Sequence, residues 1–382
     1  MQLDHLLSRV QPVSHTRRGC ATAFPAGRRP GRLASRASLY DGQVKELLRG
    51  AEALARARAG AVAVDRPDLA VVRLTGADVL RYLHTVSSQH TADLRAGEAA
   101  EALLLSPKGK IELAFRLAVL ADGRAELGGP ADPSQAGVPG RQDVLADTEA
   151  AAAEPLAERL RRFVFRYDVA VGPPGPGAVS VVGAGADDAL EAAGLPVPPL
   201  HAGRAAVTSL SLVVHRTAVG ADVVGAAAPA ALRALEDAGV PRAPLDLWEL
   251  LRVEHGVPRW GHELTDDVIA EEAGLLGSHV HLDKGCYPGQ ETVARVHNLG
   301  QVQRRLAGLV FQGEELPPPR AELVTDDGRR AGQVRTGVLH PELGPVALAY
   351  VRRIVPPGQL VLAGPLVAQV VDLPFRRAEP AA

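Results

Sequence analysis

Two periodicities alternate along the chain. Apolar runs at 61–64 and 70–74 read as strands, and Val79, Leu80 and Leu83 recur at helical spacing after Thr75-Gly76-Ala77-Asp78, which predicts a helix over 77–84. Runs at 102–105 and 111–117 flank Ser106-Pro107-Lys108-Gly109, a turn composition that predicts a hairpin. Upstream, Val44, Leu47, Leu48 and Leu54 suit a helix within 41–59, and 121–140 is a Gly/Pro-rich loop or boundary. A helix from Leu156 to Arg162, a strand from Phe163 to Val171, and a strand 179–182 turning into an Asp-capped helix follow. The third glycine position after that strand holds Asp188, which argues against a dinucleotide fingerprint.

Strands at 210–214 and 221–224 and a helix from Pro229 to Ala238 complete an α+β subdomain expected over about 130–243. The stretch 245–254 is a helix, with Leu247, Leu250 and Leu251 on its apolar face and Gly256 and Pro258 ending it. From Gly300 onward the pattern changes. Six short apolar runs (306–311, 321–325, 332–339, 346–351, 359–362, 367–371) alternate with Pro, Gly and Asp turns, the signal of a small β-barrel or sandwich. The fold class is therefore α+β: a mixed α/β region over 41–298, a C-terminal β-barrel over 299–374 and a tail at 375–382.

Composition narrows the function. Of the net charge of −2, residues 1–40 contribute +6 (seven Arg, one Asp), leaving −8 for the remainder. The folded part is acidic, so no general nucleic-acid footprint is expected. The Arg-, Ser-, Pro- and Gly-rich stretch 1–40 reads as a disordered extension whose composition also resembles a transit peptide. Cys20 and Cys286 are the two cysteines, too few for a disulfide scaffold, which makes a reducing, cytoplasmic setting the expectation. No apolar run approaches the length needed to span a bilayer.

Chemistry concentrates at 281–298. Gly285, Pro288 and Gly289 bracket Cys286 and Tyr287 in a tight turn ahead of a helix expected to open near Gly289. A thiol before a helix start, with Lys284 two residues away, can be unusually acidic; the same residue can equally be a small space-filler. His279 and His281 alternate as on one face of a strand, a metal-ligand spacing without further clustered ligands, so no metal site is assigned. A hydrolase pairing Cys286 with His281 or His297 lacks a recognised nucleophile signature.

Lys284-Gly-Cys-Tyr-Pro-Gly-Gln-Glu291 resembles the K-G-C-[YF]-x-G-Q-E signature of the YgfZ-type folate-binding proteins, relatives of the glycine-cleavage aminomethyltransferase (GcvT). Leu74-Thr-Gly-Ala-Asp78 through Tyr82-Leu83-His84, and Leu251-Arg252-Val-Glu254 through Glu272-Ala-Gly274-Leu275, are similar to the same family's internal signatures. Ser88-Gln89-His90 and Ala270 depart from its pattern. The resemblance spans about 41–374 and implies three subdomains in a ring around a folate-sized hole, with the Lys-Gly-Cys-Tyr turn at its rim. It further implies bound tetrahydrofolate or a derivative, with Arg252, Glu254, Tyr287, Gln290 and Glu291 as candidate cofactor-binding residues and Cys286 and Lys284 as candidate catalytic ones. The implied role is support of iron–sulfur cluster assembly or repair in client enzymes, including those that modify tRNA, with client or assembly proteins as partners and no direct nucleic-acid or membrane contact. The alternatives are a tetrahydrofolate-dependent aminomethyltransferase and a folate-binding module without catalysis. The transferases carry Gly-Gly-x-x-Asp-Asp at the hairpin, where this chain reads Gly109-Lys110-Ile111-Glu112-Leu113-Ala114.

Overall fold

Residues 50–120, 141–198, 205–209, 212–300 and 302–375 are described by the computed structural model, all within the unit Glu46–Ala382. Their strands form three sheets. The hairpin of Ala99–Leu105 and Ile111–Val119 closes around 106–110 and continues through Gln142–Glu149 and Leu69–Gly76 to the short Ala170–Val171. Leu74, Leu83, Phe115, Leu117 and Leu156 lie in one apolar core on its face, beneath the helices Val79–Val86 and Ala150–Arg161.

The second sheet runs in the order Arg242–Ala243, Val62–Asp65, Ala178–Val182, Gly220–Val224, Leu212–Thr217, Ala205–Ser209. Val62–Asp65 is thus separated from Leu69–Gly76, its neighbour in sequence, and pairs antiparallel with Ala178–Val182. The helices Ala186–Ala192 and Ala228–Asp237 bury their Ala/Leu faces against it. Six strands, Arg304–Phe311, Glu322–Val324, Arg330–His340, Gly344–Arg352, Leu360–Ala363 and Leu366–Val371, close into a barrel filled by small and branched side chains, with Phe311 the aromatic among them. The expected barrel is therefore present, its six apolar runs matching the six strands within a few residues.

Elsewhere the structure corrects the reading. Residues 163–166 do not extend: Val164–Arg166 is a turn of 3-10 helix, and strand geometry begins only at Ala170. The Leu156–Arg162 helix starts at Ala150 and passes through Pro155. Asp187 and Asp188 sit in the first turn of their helix, with Gly185 at the cap. His279 ends the short helix Leu276–His279 and His281 lies beyond it, so the two imidazoles do not share a strand face. Phe375, expected to begin a tail, is buried against Val253, Val346 and Leu348. The expectations for 1–40, 41–49 and 121–140 lie outside the described residues.

Candidate functional site

A cavity of about 870 Å³ opens where the three sheets meet. The hairpin sheet contributes Ala114, Arg116 and Glu149, the second sheet Asp222 with Arg66 just past its strand Val62–Asp65, the helix Leu245–Glu254 Trp248 and Arg252, and the barrel Arg305 and Leu306. The Glu271–Leu275 segment supplies a further wall.

Buried ion pairs hold that junction together. Arg116 donates to Asp147 at 2.8 and 2.6 Å within its own sheet and to Asp222 of the second sheet at 2.7 Å. His215 Nε2 lies 3.1 Å from Asp147, and Arg66 joins Asp68 and Ser180 at 2.9 Å. Burial alone would push the Asp147 carboxyl up, but Arg116 and His215 outweigh it and hold the pKa at about 2. Arg259 links Glu149, Asp68 and Glu249 in the same wall.

Arg252, expected to bind a cofactor, lines the cavity but has its donors engaged. It donates to both Glu249 oxygens, to Glu263 and the Val257 carbonyl at 3.0 Å, and to Thr336 of the barrel at 3.2 Å. Desolvation would lower its pKa; Glu263 and Glu249 raise it above the usual value. Glu254 is not part of the cavity wall. Its carboxylate accepts from Arg58 at 3.2 Å and lies 3.3 Å from His340 Nε2.

The turn carrying Cys286 is a separate feature. Residues 284–291 do not line the large cavity. Gly289, with φ of +83°, caps the helix Gln290–Leu299, and a Cβ on it would stand 2.6 Å from the Ser106 carbonyl and 3.1 Å from the Gly109 Cα. Gly109, φ +72°, is as tightly placed against Thr292. Glycine at both positions therefore lets the hairpin and the turn approach backbone to backbone. Cys286 is an exposed free thiol. Lys284 is buried at 6% exposure and donates to the carbonyls of His84, Ser87 and Gln89, with its ammonium 4.8 Å from the Tyr287 ring. Desolvation lowers its pKa to about 8. His84, His90 and His281 gather alongside, with ring centroids 4.6 and 5.2 Å apart. Burial and then the Lys284 charge lower the pKa of His84. Tyr287 is buried, Gln290 donates to the Lys284 carbonyl at 3.3 Å, and Glu291 is exposed. The structure thus groups Lys284, Cys286, Tyr287 and Gln290 and leaves Arg252 and Glu254 elsewhere.

Several polar residues of the cavity wall were not singled out from the sequence. Among the described residues of the wall, Trp248 Nε1, Arg216 Nε, Arg305 Nη2 and Glu271 Oε2 are buried without a hydrogen-bond partner, and Asp147 Oδ1 has only the nearby His215 ring. Glu271 stands directly before the quoted Glu272-Ala-Gly274 run, which was the available signal; Arg305 stands just ahead of the 306–311 apolar run and carries no signal of its own. No group of three His, Cys, Asp or Glu among the described residues could hold a metal ion, and no described helix is long and apolar enough to cross a membrane.

No family model matches the chain. It is 38% identical over 152 residues to an aminomethyltransferase of Nostoc, a match covering 38% of this chain and 40% of that one. The chain thus spans about two fifths of the length of that relative, and 41% of a Moorella thermoacetica aminomethyltransferase that is 35% identical. An aminomethyltransferase of Saccharopolyspora erythraea is 31% identical over 266 residues, covering 62% of this chain and 71% of its own length. The crystal structure of glycine cleavage system aminomethyltransferase T from Bartonella henselae shares the fold, with a TM-score of 0.69 over 84% of this chain and 88% of that one at 23% identity. Together with the two α/β sheets and the closed barrel, these likenesses show that the chain belongs to the aminomethyltransferase family.

Proposed function

We propose that this protein binds tetrahydrofolate in the central cavity and acts in the cytoplasm as an accessory factor for assembly or repair of iron–sulfur clusters in client enzymes, tRNA-modifying ones included. The observation that carries the folate reading is the set of orphaned polar atoms in the cavity wall. Buried polar groups are normally paired, so unpaired donors and acceptors on residues that line one cavity favour a ligand of matching polarity there. A reduced pterin offers amino donors for Glu271, and its glutamate tail offers carboxylates for Arg305. Those residues, with Trp248, would hold the group, which supplies a one-carbon carrier when bound.

The accessory role is supported by the hairpin. Ala114 lines the cavity at the position where the resemblance places a carboxylate in the transferases, and the neighbouring Leu113 is buried. A methyl group there can neither accept nor deliver a proton. The exposed Cys286 thiol is free to meet a partner. Outside 1–40 it is the one cysteine of the chain, so a cluster usually held by four thiolates would be shared with the client.

The likeness to aminomethyltransferases favours a second reading, tetrahydrofolate-dependent transfer of an aminomethyl carbon. Replacing the chromosomal copy with Cys286→Ser separates the two. Loss of client-enzyme activity, with no methylene-tetrahydrofolate formed from an aminomethylated carrier by the wild-type protein, supports the accessory role; full client activity of the variant together with carrier turnover overturns it.

A further inference from the structure

Beside the Cys286 turn lies a second concavity of about 170 Å³, walled by Val86, Leu104, Leu160, Phe163, Phe165 and Pro288. Phe163 and Phe165 are 41% and 78% exposed, an unusual placement for phenylalanine in a chain with only six. Residues 159–167 carry four arginines and no acidic residue, in a protein whose net charge is −2. Arg159 lies 5.1 Å from the Phe163 ring, Arg166 5.4 Å from Phe165, and the exposed Arg81 5.9 Å from Tyr167. Arg162 and Arg166 are exposed and, among the described residues, have no carboxylate partner.

We infer that this face docks an acidic protein segment that inserts one apolar side chain into the concavity. Aromatic residues and arginine together are the chemistry of protein interface anchors, with a desolvated pocket at the centre and a charged rim around it. The volume suits a single leucine or phenylalanine side chain. The Thr85 hydroxyl in the wall already donates to the Tyr82 carbonyl at 2.8 Å, leaving the pocket poor in partners for the edge of a nucleobase. The chain's own N-terminal stretch is a poor occupant, because residues 1–40 are basic at +6 and the rim is basic too. Pro288 is two residues from Cys286, so a docked segment comes to rest next to the exposed thiol. Docking requires neither folate in the cavity nor reaction at the thiol.

The test is fluorescence anisotropy with a labelled peptide of glutamates and aspartates around a central Leu-Phe pair, titrated with the full chain. Saturable binding is expected, weakened about tenfold by Phe165→Ala and by the pair Arg162→Glu and Arg166→Glu, and weakened similarly when Leu-Phe becomes Ser-Ser in the peptide. Bound peptide should also slow alkylation of Cys286. All three protein positions are exposed, so the variants keep the fold. Absence of saturable binding, equal binding by the variants, or equal binding of the Ser-Ser peptide overturns the inference. So does tighter binding of oligouridylate or of phosphatidylserine vesicles than of peptide at this face, or a dimer of the chain that Phe165→Ala dissolves.

Discussion

Replacing Arg252 by methionine, similar in length but uncharged, separates two roles for that residue. In the structure Arg252 is 0% exposed and Glu263 beside it is also 0% exposed, whereas the Glu249 side chain keeps 22% of its surface. Glu249 can recover water when the guanidinium is gone; Glu263 cannot, and retains only Thr336 and the Arg259 amide as donors. Stranding a buried carboxylate in this way costs about 3–5 kcal/mol, a large share of the roughly 5–15 kcal/mol that holds a folded protein together. Glu263→Gln should cost about 1–3 kcal/mol, since it breaks one charge-assisted bond but leaves no buried charge without hydrogen bonds. The double variant should fall short of the sum of the two by about 1–3 kcal/mol, because the partners share one interaction. Urea unfolding read through Trp248 and Trp260, both in the cavity wall, measures these losses where they arise. An Arg252→Met protein within about 1 kcal/mol of wild type that has lost tetrahydrofolate binding would refute the clamp and make Arg252 a ligand.

Lys284 has a folded pKa of about 8 against an ordinary 10.5, so the unfolded chain binds the extra proton between those values. Its contribution to stability is therefore complete above 10.5 and lost as pH falls toward 8, and the Tm difference between wild type and Lys284→Met should grow in favour of wild type as pH rises from 8 to 10.5. Asp147 behaves in the opposite range: its folded pKa of about 2 gives stability present above 3.8 and lost as pH falls toward 2, so Asp147→Asn should flatten acid unfolding monitored by circular dichroism between pH 4 and 2. Gly289→Ala places a Cβ at a left-handed position against the Ser106 carbonyl. It should cost roughly 1–3 kcal/mol in thermal unfolding and raise the reactivity of Tyr287 and Lys284 to modifying reagents as the turn lifts off the hairpin.

The barrel and the hairpin were legible because each strand there carries its own apolar run between strong turn residues, a local signal. Phe163-Val-Phe misled for the same reason: an apolar triplet reads as a strand, yet both aromatics face outward from a 3-10 turn, a placement set by a surface rather than by the core. The departure of Val62–Asp65 to the second sheet has no local signature, because the choice between two possible neighbours depends on packing partners more than a hundred residues away. At the site, motif density located the Cys286 turn and the Arg252 helix. It could not tell that Arg252 faces Glu263 and Glu249 while Glu271, Trp248 and Arg305, residues of the cavity wall, keep buried unpaired atoms, since pairing is decided by three-dimensional neighbours.

Isothermal titration of tetrahydrofolate into wild type, Glu271→Ala, Arg305→Ala and Cys286→Ser tests the central claim most directly. Binding by wild type and by Cys286→Ser, with affinity reduced about tenfold or more in Glu271→Ala and Arg305→Ala, is the result expected if the unpaired cavity atoms hold the ligand. Undiminished binding in both cavity variants, or no binding to the wild-type protein, would contradict the account.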